Sequence, residues 1–298
     1  MTYSIVARDD ATGHLGVAVQ SCMFGAGSTV PWALPGVGVV ASQAMGDPSC
    51  GPRCLEALAR GATAREALDD VLEADSIAAL RQVGAVAADG TAAARTGHFC
   101  IEHAGHIVGE EFAVAANMMS TPDVWPAMAA AFTEATGPLE RRMLVALMAA
   151  EAAGGDARGR MSAALLVIDG RAPLVPGSGT LVDLRVDRSD DPIGDLGRLL
   201  DAREAYAAFN AGVNELFGGH PDAALESVEA GLHTLPDEEN LRFLRAGALM
   251  AMGSIDDGIA EVRALIAERP TWEVIVRSFA RKGLLTLPNG VTINSVLG

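Results

Sequence analysis

The chain has almost no lysine: Lys282 is the single lysine among 22 basic residues, set against 38 acidic ones for a formal charge of −16. A nucleic-acid surface needs a basic patch, and no Lys/Arg cluster occurs in the sequence, so no nucleic-acid partner is expected. Any cation needed beside the N-terminus must be arginine or histidine. Long hydrophobic runs are missing too. No segment approaches the ~20 apolar residues of a membrane span, and Arg8-Asp9-Asp10 stands where a secretory signal would carry its apolar core. A cytoplasmic protein without membrane contact is expected. Cysteine is sparse, and in a reducing compartment Cys22, Cys50, Cys54 and Cys100 are expected as thiols. Cys50 and Cys54 stand one helical turn apart, which suits burial as small apolar residues or, as the other reading, a disulfide or metal pair.

What is present begins at the second residue. Thr2 follows the initiator methionine and precedes Tyr3-Ser4-Ile5-Val6-Ala7-Arg8, an apolar, β-branched run that reads as a strand. A residue as small as threonine permits methionine aminopeptidase to remove Met1, leaving a free α-amine beside a hydroxyl. That amine titrates at roughly pKa 7.7 to 8.0, so it can take the proton of its own Oγ1 and serve as base to a nucleophile. With 298 residues, half of them hydrophobic, the chain can bury one large core or one core and a small satellite domain.

The turn Asp9-Asp10-Ala11-Thr12-Gly13-His14 joins the first strand to Leu15–Ser21 as a hairpin, and a third strand, Val37–Gln43, follows a loop containing Pro31, Pro35 and Gly36. Several blocks now occur in order: Ser4-Ile5-Val6-Ala7-Arg8, Gly16-Val17-Ala18-Val19, Val30-Pro31-Trp32-Ala33, Gly36-Val37-Gly38, Arg81-Gln82-Val83-Gly84, Gly105-His106 and Gly154-Gly155-Asp156-Ala157-Arg158-Gly159. Over residues 2 to 200 this pattern resembles a bacterial family named only as domain of unknown function 1028. The resemblance implies an N-terminal-nucleophile (Ntn) hydrolase-like fold: α+β, a four-layer αββα sandwich. It supplies no substrate.

Farther along, Cys50–Arg60 and Thr63–Ala74 show helical spacing, the second opened by a Thr63/Glu66 capping box. Strands are expected at Val83–Ala88 and Ala92–Thr96. The segment His98-Phe99-Cys100-Ile101-Glu102-His103-Ala104-Gly105-His106 is the densest set of metal-ligand types in the chain. As a strand it would point His98, Cys100 and Glu102 to one face and His103 to the other, with a turn at Ala104-Gly105, and no metal-binding spacing is present. No metal or cofactor is expected, and the segment reads as a structural cluster or as a pocket lining through His106. Phe112–Asn117 is a strand whose last residue suits an oxyanion donor or a simple strand end. The resembling family usually has Gln-Gly-Asn at Ala115-Ala116-Asn117. Helices Asp123–Thr136 and Leu139–Ala153 form an outer layer. The loop Gly154–Ser162 holds Arg158, a planar fork for a carboxylate, with Asp156 to steady it; the other reading is a helix C-cap with an Asp–Arg brace. Ser162–Asp169 and Thr180–Val186 are the last strands.

After a linker near 187–200 the pattern becomes purely helical. Phe209 and Phe243, Gly219 and Gly253, and Pro236 and Pro270 each recur at the tetratricopeptide period of 34. Two degenerate repeats are expected, covering the sandwich or mediating self-association into a homo-oligomer. The expected domains are therefore 1–190, Ntn-hydrolase-like, and 200–298, tetratricopeptide-like. The residues suggest an amidohydrolase acting on C–N bonds other than peptide bonds, on a small amide or ureide bearing a carboxylate. Thr2 and Asn117 would be catalytic, with Arg158, Asp156, His106 and Gln43 at the substrate. The alternative is a silent version of the fold that serves as a binding or assembly protein.

Overall fold

A computed structural model describes residues 2–175 and 177–284. Met1, on whose removal the nucleophile reading depends, and residues 285–298 of the expected helical domain lie outside the described residues. The chain divides into two compact units, Met1–Gly197 and Arg198–Gly298.

In the first unit the opening hairpin pairs β1 (Thr2–Arg8) with β2 (Leu15–Ser21). Its turn is held by Asp9, whose carboxylate accepts from the Ala11 amide and the Thr12 hydroxyl, with Gly13 at a φ of 75°. There follow β3 (Pro31–Leu34), β4 (Gly38–Ala44), α1 (Cys50–Ala59), α2 (Ala64–Glu73), β5 (Arg81–Ala87) and β6 (Ala92–Thr96). The unit is completed by β7 (Gly105–Gly109), β8 (Phe112–Asn117), α3 (Val124–Glu134), α4 (Leu139–Ala152), β9 (Ser162–Ile168) and β10 (Thr180–Val186). These strands form two antiparallel sheets, ordered β10-β9-β2-β1-β8-β7 and β3-β4-β5-β6. The capping box at Thr63 and Glu66 is formed on both sides.

Two apolar layers hold this unit together. Cys54, Leu58, Leu68 and Val71 of α1 and α2 pack on Val40, Val83 and Ala85 of the four-stranded sheet. Val6, Val17 and Val19 of the six-stranded sheet meet Val39, Ala41 and Val86 of the other. The outer face of the six-stranded sheet is covered by α3 and α4: Phe112 stacks on Phe132 with ring centroids 5.0 Å apart, and the Tyr3 hydroxyl donates to Glu151 at 2.7 Å. Side chains alternate along a strand, so Tyr3 faces the helices while Thr2 and Ser4 share the face of Val6, between the sheets.

Two strands lie where loop or turn was expected. β3 occupies the Pro31 segment as the edge of the four-stranded sheet, a place where proline withholds no needed ladder hydrogen bond. β7 begins at Gly105 and is the edge of the six-stranded sheet, whereas 98–104 is turn and irregular chain, so the strand alternation expected for His98, Cys100 and Glu102 does not apply.

The expected linker is short. Helix α5 (Pro192–Phe217) starts inside it and is followed by α6 (Pro221–Thr234), α7 (Glu239–Ala251), α8 (Ile255–Glu268) and α9 (Trp272–Arg281). In the second unit Val228 and Leu232 pack with Leu241 and Leu244, and Ala246 and Met250 with Val262 and Val276. Gly219 and Gly253 take equivalent left-handed positions after α5 and α7, with φ of 85° and 92°. No described helix is long and apolar enough to cross a membrane.

Candidate active site

Thr2 opens a central strand, flanked in register by Ser21 on β2 and Asn117 on β8. It is 4% exposed, and its Oγ1 lies 3.1 Å from Ser21 Oγ in a hydrogen bond. Its carbonyl oxygen accepts two side-chain hydrogen bonds, from Gln43 Nε2 and from Asn117 Nδ2, both at 3.3 Å. Thr2 is thus gripped by two buried amides that belong to different sheets.

The orientation of those amides is dictated by a third. Gln82, at the middle of the network on β5, is completely buried. Its Nε2 faces the Ala116 carbonyl (2.9 Å), the Gly105 carbonyl (3.2 Å) and Thr96 Oγ1 (2.9 Å). Its Oε1 must therefore face the other way, where it accepts from Gln43 Nε2 at 2.7 Å and Asn117 Nδ2 at 2.8 Å. Gln43 Nε2 also reaches the Ala115 carbonyl at 3.1 Å. Both hydrogens of Asn117 are engaged, by Thr2 and by Gln82, so the side chain that the sequence offers as an oxyanion donor has none left to give. It holds Thr2 in place. Gln43 Oε1 and Asn117 Oδ1 are buried and accept no hydrogen bond from the described residues. The residues after both amides, Ala44 and Met118, have left-handed backbones with φ of 70° and 61°, a conformation disfavoured for non-glycine residues and one that clusters at functional sites.

Thr2, Ser21, Ser42 and Gln43 form the polar end of a cavity of about 510 Å³. Its other walls are Trp32, Val30, Phe24, Met23 and Pro48, and its one ionisable side chain among the described lining residues is Asp47. Hydrogen bonds from the Ser49 amide and hydroxyl hold the Asp47 carboxyl below its usual range, and Arg81 stands 3.7 Å from it. Asp47 is therefore anionic at neutral pH. Behind Ser42 lies Cys50, whose thiol is brought down to about 7 chiefly by a hydrogen bond from Cys54. Both sulfurs are thiols in the core between helix and sheet.

The other residues singled out from sequence lie elsewhere. His98, Cys100, Glu102, His103, His106 and Trp125 line a separate cavity of about 720 Å³. There His106 Nδ1 is 2.8 Å from Thr96 Oγ1, and partial burial, then the charge of Arg95, lowers its pKa. Among the described residues no group of three or more His, Cys, Asp and Glu side chains is gathered to hold a metal ion. Asp156 and Arg158 are paired with each other: Arg158 Nε and Nη2 donate to the carboxylate at 3.1 and 2.8 Å. The same carboxylate accepts from the Cys22 amide at 3.3 Å, tying the loop to the end of β2 next to Ser21. Neither Asp156 nor Arg158 is among the residues that line the Thr2 cavity. Of the expected site residues, Thr2, Asn117 and Gln43 come together, and His106 reaches them only through Thr96 and Gln82.

Gln82, Ser42 and Trp32 carry no site assignment from the sequence. The available signal was a polar Gln inside Arg81-Gln82-Val83-Gly84, since a large polar residue in an otherwise apolar central strand must have buried partners.

Two facing antiparallel sheets, helices on their outer faces and a gripped threonine at the start of a central strand define a mixed α/β protein with one organised polar site. The chain belongs to the family of unknown function DUF1028, whose model matches residues 2–196. It is similar to protein SPO2555 from Silicibacter pomeroyi, a crystal structure assigned to the same family model, at 35% identity and a TM-score of 0.61. That match covers 67% of this chain and 84% of the other. No curated protein matches the chain.

Proposed function

We propose that the protein is an Ntn-type amidohydrolase built on a four-layer αββα sandwich, with Thr2 as nucleophile once Met1 is removed. The observation that carries this reading is the grip on Thr2: two buried amides hold the carbonyl of a residue whose side chain lines a cavity. The freed α-amine takes the Oγ1 proton, Oγ1 bonds to the substrate carbonyl carbon, and the amine returns the proton to the nitrogen as the C–N bond breaks. Water then attacks the acyl ester, giving one proton to the amine and releasing the acid as the proton returns to Oγ1. Burial lowers the pKa of an amine, which favours the neutral form the first step requires. Since Asn117 is spent on Thr2 and Gln82, backbone N–H groups are left to hold the oxyanion.

The helical extension is read as two degenerate tetratricopeptide units, on its 34-residue period and the matching glycine positions after α5 and α7. Self-association through it is the corresponding expectation.

Intact-mass measurement should show loss of Met1, and a β-lactone, which acylates a nucleophilic hydroxyl by ring opening, should label the N-terminal peptide. Thr2→Ala should lose the label and about 10³-fold or more of amide hydrolysis, while Thr2→Ser keeps a measurable fraction. The lost hydrogen bond to Ser21 costs about 1 kcal/mol, a few degrees of Tm in a unit of this size. Retained Met1, or full activity in Thr2→Ala, would return the protein to the binding or assembly reading.

A further inference from the structure

The charge, the unused acceptor and the apolar wall of the Thr2 cavity together define what it can take. The geometry points to an uncharged primary or secondary amide carrying an aromatic or aliphatic group, with carboxylated amides rejected. The assignment of a cleavable amide rests on Thr2 being the nucleophile; the selectivity itself does not.

Gln43 is 3% exposed and lines the cavity. Its Nε2 faces three acceptors, the Thr2 and Ala115 carbonyls and Gln82 Oε1, so the amide cannot be turned over without setting oxygen against oxygen. The Oε1 atom is left buried with no donor among the described residues. A buried acceptor without a partner carries a desolvation cost that a substrate N–H would remove. A ligand group that reaches this oxygen must be a donor, and a tertiary amide has none to offer.

The apolar wall is built, not incidental. Trp32 Nε1 donates to the Thr29 carbonyl at 3.1 Å. Its ring lies on the first turn of α1, at Gly51, where a Cβ would collide with the indole. At the rim Phe24 and Met23 remain 71% and 54% exposed, an apolar surface beside a polar cavity floor that suits the two ends of a ligand. A carboxylate finds no counter-charge here. No arginine, lysine or histidine is among the described lining residues, and the nearby Arg81 is already paired with Asp47 at 3.7 Å and Asp75 at 2.7 Å. Arg158, the anchor offered by the sequence, is neutralised by Asp156 outside the cavity.

The test separates selectivity from turnover by measuring binding to Thr2→Ala. Three probes are compared by calorimetry: N-benzylphenylacetamide, its N-methyl derivative, which lacks the N–H, and its ring-carboxylated derivative. The expected order is the parent amide at least tenfold tighter than either derivative. Trp32→Ala introduced into Thr2→Ala should weaken the parent at least tenfold, and Gln43→Met should remove the penalty for N-methylation if the variant folds. Should Gln43→Met unfold, the comparison of the parent and N-methyl probes still decides. Equal or tighter binding of the carboxylated or N-methyl probe, or no binding of the parent amide, overturns the proposal. If binding follows the expected order and the wild type cleaves none of the three, the selectivity stands and the nucleophile reading falls. If the wild type cleaves carboxylated amides best, the reverse holds.

Discussion

The two cavities of the first unit differ in a way that bears on how function is read from residues. The one lined by the 98–106 segment holds three histidines, a cysteine and a glutamate, yet it is open, and its histidine hydrogen bond runs to a threonine. The one at Thr2 has a single ionisable side chain among its described lining residues, yet it is walled by residues whose atoms are committed to one arrangement. Chemistry-bearing residue types are thus densest where the geometry is loosest. Reactivity needs orientation before it needs titratable groups, and orientation in this protein comes from buried amides.

Gln82 is where this comparison is most easily broken. It is the acceptor for both amides that hold Thr2 and the donor to three groups on the far side. Gln82→Leu should destabilise the protein by about 3 kcal/mol, because several buried polar groups lose partners at once. That corresponds to a Tm lower by roughly 10 °C, measured by calorimetry. Gln82→Glu sharpens the test. Its carboxyl can still accept from Gln43 and Asn117, but it must be protonated to donate to the Ala116 and Gly105 carbonyls, so its pKa is raised in the folded state. Stability of that variant should therefore fall as pH rises above the normal carboxylate pKa and recover as pH is lowered toward 5. A Gln82→Leu protein as stable as wild type would show that the network does not organise the site.

Much of this architecture was legible in the sequence because its signals are local. The Asp9–His14 hairpin, the Thr63/Glu66 capping box and the strand ending at Asn117 each depend on residues close together in the chain. β3 and β7 were hidden because each is an edge strand, whose proline or glycine content reads as loop when its neighbour in the sheet is unknown. The site was legible at Thr2 and only in outline elsewhere. Gln82 acts on Thr2 through Asn117 and Gln43, residues 35 and 39 positions away from it, and sequence spacing carries no record of such a meeting. Arg158 illustrates the opposite error. An arginine in a glycine loop looks available until its partner is located, and here that partner is two residues away.

Arg158→Ala tests that point and should have the next largest effect. The Asp156 side chain is fully buried, and removing the guanidinium leaves its charge without the bidentate donor. The expected loss is about 2 kcal/mol, reduced from the cost of a fully buried pair because the arginine is itself part-exposed. KM for a neutral amide should stay within twofold of wild type. A tenfold or greater rise in KM for carboxylated amides with an unchanged Tm would restore Arg158 as an anchor and would break the contrast drawn between the two cavities.

The smallest effect is expected at His106, and its sign follows from the hydrogen bonds. Thr96 Oγ1 accepts from Gln82 Nε2, which leaves its own hydrogen free to donate to His106 Nδ1 when the ring is neutral with that nitrogen unprotonated. Protonating the ring turns Nδ1 into a donor and forces the threonine hydroxyl to turn away. This agrees with the lowered pKa, which burial and Arg95 cause. A histidine whose folded pKa lies below its unfolded value contributes stability above the unfolded pKa of about 6.5 and loses it as pH falls through the folded pKa. Wild-type Tm should therefore decline modestly between pH 7 and pH 5, and His106→Gln, whose amide can still accept from Thr96, should decline less. Activity in that variant should remain within about twofold of wild type, because Thr96 Oγ1 has two lone pairs and can accept from a charged His106 without releasing Gln82. A large pH-dependent loss of activity that disappears in His106→Gln would instead show that the histidine-rich cavity governs the Thr2 site, and the two would then have to be treated as one functional unit.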